Sequence, residues 1–379
     1  MQVRTLLSSP LLARRAREGI PGVKQEPTSI EQVDLARIVD AAANRAREAL
    51  RVLEDYCRFV LDDAFLSGEL KNLRHDLAES LAPCQHFLGA RDTQGDVGVN
   101  LTASGEQDRQ SLQAVVQANC KRLQEALRTL EEFGKIQSPE LGTTVEQLRY
   151  RSYTLEKALI LGAQSRQRLV EVRLCVLVSG SACRAALEWT IKEAAAGGAG
   201  MVQLREKSLS DREFLERARQ VRRWTREAGV LFIVNDRPDI ARLAEADGVH
   251  LGQNDLPLKE ARRILGPDLL IGISTHSLDQ VRQAILDGAN YIGIGPTFPS
   301  GTKEFGEFPG LDLVSRVMRE TALPAFVIGG VSQENIEKVT EAGGQRIAVG
   351  QAICQSPDPR RAAEELVRVV RRLLPEVRE

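Results

Sequence analysis

Two hydrophobic periodicities divide the chain. Over residues 28–164 apolar positions return every three or four residues and strand-like runs are scarce, which predicts amphipathic helices. From Glu171 onward short apolar runs alternate with amphipathic stretches such as 211–228 and 277–288. The runs fall at 171–178, 200–204, 230–234, 248–251, 269–273, 290–294, 324–328 and 346–349, and each reads as a buried strand. Eight strand–helix units in about 200 residues predict a (β/α)8 TIM barrel, with an open doubly wound sheet as runner-up. GxGxxG is missing after the first run, against a dinucleotide-binding version of that sheet. The expected fold class is therefore α/β: a TIM barrel over 171–379 preceded by an all-α bundle over 28–164. The helical period is expected to stop at Ala158-Leu159-Ile160-Leu161, with the boundary at 162–168.

The helical half contains an internal repeat. Residues 45–56 match 122–133, with identity at Arg45/Arg122, Glu48/Glu125, Ala49/Ala126, Leu50/Leu127, Arg51/Arg128, Leu53/Leu130 and Glu54/Glu131. A second helix follows each copy, through Leu70, Leu73 and Arg74 and through Val145, Leu148 and Arg149. Two hairpins with one apolar stripe each predict a four-helix bundle with pseudo-twofold symmetry and Leu50, Leu53, Leu127 and Leu130 in its core. Spacing allows Glu48 to meet Arg51 and Glu125 to meet Arg128 one turn on, as surface salt bridges. A functional alternative places Asn44, Arg45, Asn119 and Arg122 around an anion pocket covered by the polar loop 90–98.

Composition narrows the class. The 379 residues carry 51 Lys and Arg against 52 Asp and Glu, a net charge of −1, so no bulk nucleic-acid footprint appears. Apolar runs fall short of the roughly 20 residues a membrane span needs. The six cysteines lack CxxC or metal-ligand spacing, as expected of a reduced cytoplasmic protein, and four histidines argue against a histidine-based metal site. Residues 1–27 are read as a disordered extension, with five basic residues and one acidic in the first 25.

Candidate chemistry collects just after the strand runs. Asp236 follows 230–234 and Asp255 follows 248–251, so neighbouring parallel strands should present both carboxylates on one face. Hard oxygen ligands in that position suit Mg²⁺ holding a phosphorylated substrate. The structural alternative is helix capping, since proline stands two residues after each. The other runs lead into Gln203-Leu204-Arg205-Glu206-Lys207, Asn235, His250 and Gln253, and Ser274-Thr275-His276. Gly295-Pro296-Thr297-Phe298-Pro299-Ser300-Gly301-Thr302-Lys303 reads as a mobile lid carrying a cation. Gly329-Gly330 and Val349-Gly350 read as the amide phosphate site common after strands seven and eight. Glu206 is expected to pair with Arg205 or Lys207, and His250 to orient Gln253 or fill the barrel mouth. His276 is left unassigned.

Taken together, Gln203 to Lys207, Val234-Asn235-Asp236, the stretch 246–253 with Asp255, Gly295-Pro296 with Thr302-Lys303, and Gly329-Gly330 resemble the thiamine phosphate synthase family over residues 171–372. The helical half resembles the ThiD2 domain fused ahead of such barrels in some bacteria. The resemblance implies a transferase that joins hydroxymethylpyrimidine diphosphate to a thiazole phosphate with Mg²⁺ as cofactor. It implies Asp236 and Asp255 as metal ligands. It places Arg205, Lys207, Asn235 and Lys303 on the diphosphate, and Gln203 and Ser274 on the pyrimidine or its leaving group. Ser300 and Thr302 fall to the thiazole and lid, and the amides of Gly330, Val349 and Gly350 to the second phosphate. Lys207, Lys303 and Ser274 are the catalytic candidates. This chain departs from the family at Gly350-Gln351, where an aliphatic residue precedes serine or arginine, and at Ser300, where threonine is common. The expected partners are the two phosphorylated small molecules, with no nucleic acid or membrane, and self-association is left open. Alternatives are a thiazole tautomerase-like barrel, or a non-catalytic barrel that binds thiamine phosphate.

Overall fold

The computed structural model describes residues 29–83, 109–299 and 309–372. The predicted extension, the loop 90–98, and Ser300, Thr302 and Lys303 lie outside them. Four long helices come first: α1 (Ser29–Tyr56), α2 (Ala64–Ser80), α3 (Leu112–Gln137) and α4 (Pro139–Arg168). A short π-helical segment, Cys57–Leu61, closes α1. Leu50, Leu53, Leu127 and Leu130 are buried as expected.

The repeated charges pair differently from expectation. Arg51 and Arg128 turn away from Glu48 and Glu125 and meet Glu54 and Glu131, at 3.5 and 2.8 Å. These two glutamates are the buried members of the repeat, at 4% and 2% exposure, so they require the cations. The following helix of each hairpin adds the equivalent arginine: Arg74 to Glu54 at 3.2 Å and Arg149 to Glu131 at 2.7 Å. Asn44 and Asn119 donate within their own helices, to Asp40 and to the Val115 carbonyl, while Arg45 and Arg122 are exposed.

Strands and helices then alternate as far as β8: β1 (Leu174–Val178), α5 (Leu187–Ala196), β2 (Met201–Leu204), α6 (Asp211–Ala228), β3 (Leu231–Asn235), α7 (Pro238–Leu243) and β4 (Gly248–Leu251). They continue as α8 (Leu258–Leu265), β5 (Leu270–Thr275), α9 (Leu278–Asp287), β6 (Tyr291–Ile294), α10 (Gly310–Glu320), β7 (Ala325–Ile328), α11 (Ile336–Glu341), β8 (Ile347–Val349), α12 (Gln351–Cys354) and α13 (Pro359–Arg371). All pairings are parallel, and β8 returns to β1 to close the barrel.

Period two along the strands sorts the barrel interior into levels. Cys175, Met201, Ile233, Leu270, Tyr291, Phe326 and Ala348 pack together, with Leu169 and Val172 before β1 joining the same cluster. Two residues further along the same faces stand Gln203, Asn235 and Gly350. An apolar layer thus lies beneath a mixed level in which Gln203 and Asn235 are the polar side chains among Leu177, Ile328 and glycines. Gly272 is required here, because a Cβ would lie 2.1 Å from the Tyr291 ring that fills the layer.

The helical half is bonded to residues that precede the strands. Asp63 caps α2, taking the Leu66 amide at 2.8 Å, and its other oxygen accepts from Thr321 Oγ1 at 2.8 Å and the Ala322 amide at 2.9 Å, ahead of β7. Asn290, ahead of β6, donates to Ser165 Oγ at 2.9 Å, and Arg168 donates to the Asp268 carbonyl ahead of β5. These bonds account for α4 running through Arg168, past the predicted stop at Leu161. Asp63→Ala removes a cap worth about 1 kcal/mol and strips two junction donors of their acceptor. A loss of about 2–4 kcal/mol is expected, read as a lower denaturant midpoint.

Candidate functional site

Asp236 is the first residue beyond β3. Its amide donates to the His250 carbonyl at 2.8 Å, which adds one rung to the β3–β4 ladder and fixes where the side chain begins. Its φ is +64°, a left-handed conformation that aspartate tolerates better than most residues but at some cost. Asp255 sits in the loop after β4, where its Oδ2 accepts from the Gly252 amide at 2.6 Å. The two carboxyls lie close enough to shift each other's acidity, and the Lys207 ammonium, from the loop after β2, pairs with Asp236. Neither aspartate caps a helix: the N-cap positions of α7 and α8 are Arg237 and Pro257, without a side-chain cap bond. The capping alternative is thereby excluded.

Proximity pushes the two acids apart. Burial raises Asp236, but the hydrogen bonds to Lys207 and Asp255 and the charges of Lys207 and Arg205 outweigh it and hold its carboxyl below the usual range. Burial raises Asp255 too, and there the Asp236 carboxylate adds to it, so its proton is held above that range.

Three neutral groups complete this side. Gln203 and Asn235 are 4% and 8% exposed on the polar level, and among the described residues neither side-chain amide has a hydrogen-bond partner. Polar groups so placed at an open strand end are available to a ligand. Ser274, on β5, is held by its neighbours: His250 Nε2 lies 2.9 Å from its Oγ, and Gln253 Nε2 donates to its carbonyl at 2.6 Å. His250 Nδ1 faces the Tyr291 hydroxyl at 3.3 Å. The histidine therefore orients Ser274 rather than Gln253, a role that the chain order conceals.

On the opposite wall, Gly329 and Gly330 have φ of +97° and +67°. The loop after β6 crosses over them: the Thr297 amide and hydroxyl both donate to the Ile328 carbonyl at 3.0 Å, and the Phe298 amide to the Gly329 carbonyl at 2.9 Å. A Cβ on Gly330 would come within 2.9 Å of Phe298 Cβ. The glycines are thus needed for the base of that loop as well as for backbone approach to an anion. Thr297, part of the predicted lid stretch, is a buried anchor at the base of that loop. His276 Nδ1 bonds the Gly295 carbonyl, which makes it a support for the same loop. Val349 ends β8 and Gly350 is the N-cap of α12, its carbonyl taking the Ile353 and Cys354 amides. Glu206 does not pair with Arg205 or Lys207. Its carboxylate turns inward to the Gly180 amide at 2.8 Å and Arg217 at 3.4 Å, joining the β1 and β2 loops to α6.

A closed parallel barrel with carboxylates, cations and amides gathered beyond its strand ends defines a TIM-barrel enzyme site for an anionic substrate. Comparison with known proteins narrows the class. The thiamine monophosphate synthase profile matches residues 174–353, and the ThiD2 family profile matches 37–158. Thiamine-phosphate synthase of Nostoc sp. is 42% identical over 347 residues, covering 92% of this chain and 97% of that protein. The enzyme of the same name from Rhodopirellula baltica is 43% identical over 337 residues, 86% of this chain and 90% of the other. In structure, the thiamine phosphate pyrophosphorylase of Pyrococcus furiosus covers 54% of this chain and 98% of its own, with 34% identity and a TM-score of 0.50. The chain belongs to the thiamine-phosphate synthase family and is a transferase. Among the described residues no helix is long and apolar enough to cross a membrane.

The raised Asp255 acid has a measurable sign. In metal-free protein its contribution to stability is fully present below the ordinary carboxylate range and is lost as pH rises through the raised folded value. Asp255→Asn should remove that segment of the stability–pH curve. With a chelator at pH 7 the variant should be no less stable than the parent, as denaturant midpoints across pH 3–8 will show.

Proposed function

We propose that this barrel condenses 4-amino-2-methyl-5-hydroxymethylpyrimidine diphosphate with 4-methyl-5-(2-phosphoethyl)thiazole, giving thiamine phosphate and pyrophosphate. The observation that carries the reading is the Asp236–Asp255 carboxyl pair with Lys207 against it and Arg205 close enough to act on its charge. Two adjacent carboxylates that repel each other, one already held by a cation, suit a hard dication. Mg²⁺ commonly takes one or two carboxylates and completes its shell with water and substrate phosphates. Among the described residues no group of three or more His, Cys, Asp or Glu converges, which fits that mode better than an all-protein cage. Asp236 and Asp255 would hold the ion, which supplies charge neutralisation for a diphosphate when bound.

The chain's own residues do the rest. Lys207, Arg205 and Asn235, with Lys303 of the sequence motif, bind the diphosphate oxygens; Lys207 exchanges its Asp236 partner for them as substrate arrives. Gln203 and Ser274 face the pyrimidine, and His250 and Gln253 keep Ser274 in place. The C–O bond to the diphosphate breaks with its electron pair leaving on oxygen, while the aminopyrimidine delocalises the positive charge left on carbon. Preorganised cations at the departing oxygens stabilise that separation. The thiazole nitrogen then adds through a lone pair that is already free, so a general base is unnecessary for this step. Gly330, Val349 and Gly350, with Ser300 and Thr302 of the lid motif, receive the thiazole phosphate.

Pyrophosphate release in the presence of both substrates and Mg²⁺ tests the reading. Asp236→Ala and Asp255→Ala should each lower kcat/KM by roughly a hundred- to a thousandfold, the range seen when one electrostatic stabiliser is removed. Turnover unchanged in both variants would sink it. A parent protein that binds thiamine phosphate yet releases no pyrophosphate would instead identify a binding barrel.

A further inference from the structure

Cys183 lies in the turn after β1, and Cys354 ends α12. They are 171 positions apart in the chain, and their sulfurs are 3.2 Å apart in space. The segments around them are laced together. The Arg184 amide donates to the Cys354 carbonyl at 2.8 Å, Gln355 Nε2 donates to the Ala182 carbonyl, and Cys354 Sγ lies 3.4 Å from the Leu177 carbonyl. Cys183 is half-buried, whereas Cys354 is 1% exposed. The half-buried cysteine thus stands in front of a fully buried one, the arrangement of an attacking and a resolving cysteine.

Their acidities diverge in the matching sense. Contact with Cys354 lowers the Cys183 thiol against the effect of burial, and contact with Cys183 together with burial raises Cys354. Cys57, Cys120 and Cys175 are buried and pushed up to about 12, which leaves them unreactive.

We propose that Cys183 and Cys354 form a peroxide-oxidisable dithiol site whose disulfide ties the β1 turn to α12. The Cys183 thiolate attacks one oxygen of hydrogen peroxide, the O–O bond breaks, and the other oxygen leaves as hydroxide and takes up a proton. The sulfur is now a sulfenic acid. Cys354 sulfur attacks it, the S–O bond breaks, and the hydroxyl leaves as water with the Cys354 proton. Two thiols and one peroxide give one disulfide and two waters. Closing the 3.2 Å gap between the sulfurs to a covalent bond pulls on both segments. The Cys354 amide is bonded to the Gly350 carbonyl at 2.9 Å, so the pull reaches the backbone at the end of β8. Disulfide formation there weakens phosphate binding at Gly350, a consequence that rests on the function proposed above.

The full chain, reduced and then treated with hydrogen peroxide, is blocked with iodoacetamide, digested and examined by mass spectrometry. A Cys183–Cys354 linked peptide is expected, absent after dithiothreitol and absent in Cys183→Ser. In Cys354→Ser the reaction should stop at a Cys183 sulfenic acid that dimedone traps. Alkylation of both thiols after peroxide, or a link between other cysteines instead, overturns the proposal. Calorimetry with inorganic phosphate then compares the two forms, and the oxidised chain should bind several-fold more weakly. Equal binding removes the coupling to Gly350 while the linked peptide stands. A reduced chain that binds no phosphate counts against the phosphate site itself, not against the dithiol.

Discussion

Two carboxyls that act on each other's acidity are brought to the same end of neighbouring strands by the parallel register of β3 and β4. Asn235 pairs with His250, and the next amide, that of Asp236, reaches the His250 carbonyl. The position of the Asp236 side chain is thus set by a backbone ladder continuous with the barrel wall. Asp255 is set by a different device, the Gly252 amide within its own loop. Two unit charges about 4 Å apart repel by about 4 kcal/mol at an effective dielectric near 20. Lys207 against Asp236 and the raised acid of Asp255 offset that repulsion. Each of these expedients can be displaced by a dication and an anionic substrate.

The same closure separates support from chemistry. Tyr291 occupies the apolar layer of the interior, admitted by Gly272, and its hydroxyl faces His250. His250 in turn fixes Ser274. A chain of contacts therefore runs from the apolar level to a group facing the substrate pocket. Precision at a strand end is inherited from packing beneath it, which is why catalytic groups on barrel strands can be held more tightly than groups on loops alone.

How far this was legible in the sequence depends on the range of the interaction. All eight strands were readable because strands buried on both faces are continuous apolar runs, and their ends marked Gln203, Asn235, Asp236 and Ser274 without further help. The helix repeat was readable for the same local reason. What escaped reading depends on where distant segments meet. Glu206 has two cations beside it in sequence, yet it turns inward to Arg217 and the Gly180 amide because its side chain is buried. Arg51 and Arg128 had two glutamates within a helical turn, and burial of Glu54 and Glu131 decided between them. Cysteine spacing, correctly free of CxxC, gave no sign that Cys183 and Cys354 touch across the β1–β8 seam that closes the barrel.

The junction bonds also constrain what the helical half contributes. Asp63, Ser165 and Arg168 all engage residues ahead of β5, β6 or β7. The carboxyl pair, Ser274 and the Gly329–Gly330 turn lie at the opposite ends of their strands. Barrel folds separate these two faces by function: conserved chemistry gathers at the C-terminal ends, while the N-terminal face carries stability. Contacts at the N-terminal face act on the mouth only through the packed interior, and a packed core transmits strain but supplies no reacting group. The described helices are therefore joined to the barrel at its N-terminal face, by a buried aspartate that caps its own helix with one oxygen and holds the barrel with the other.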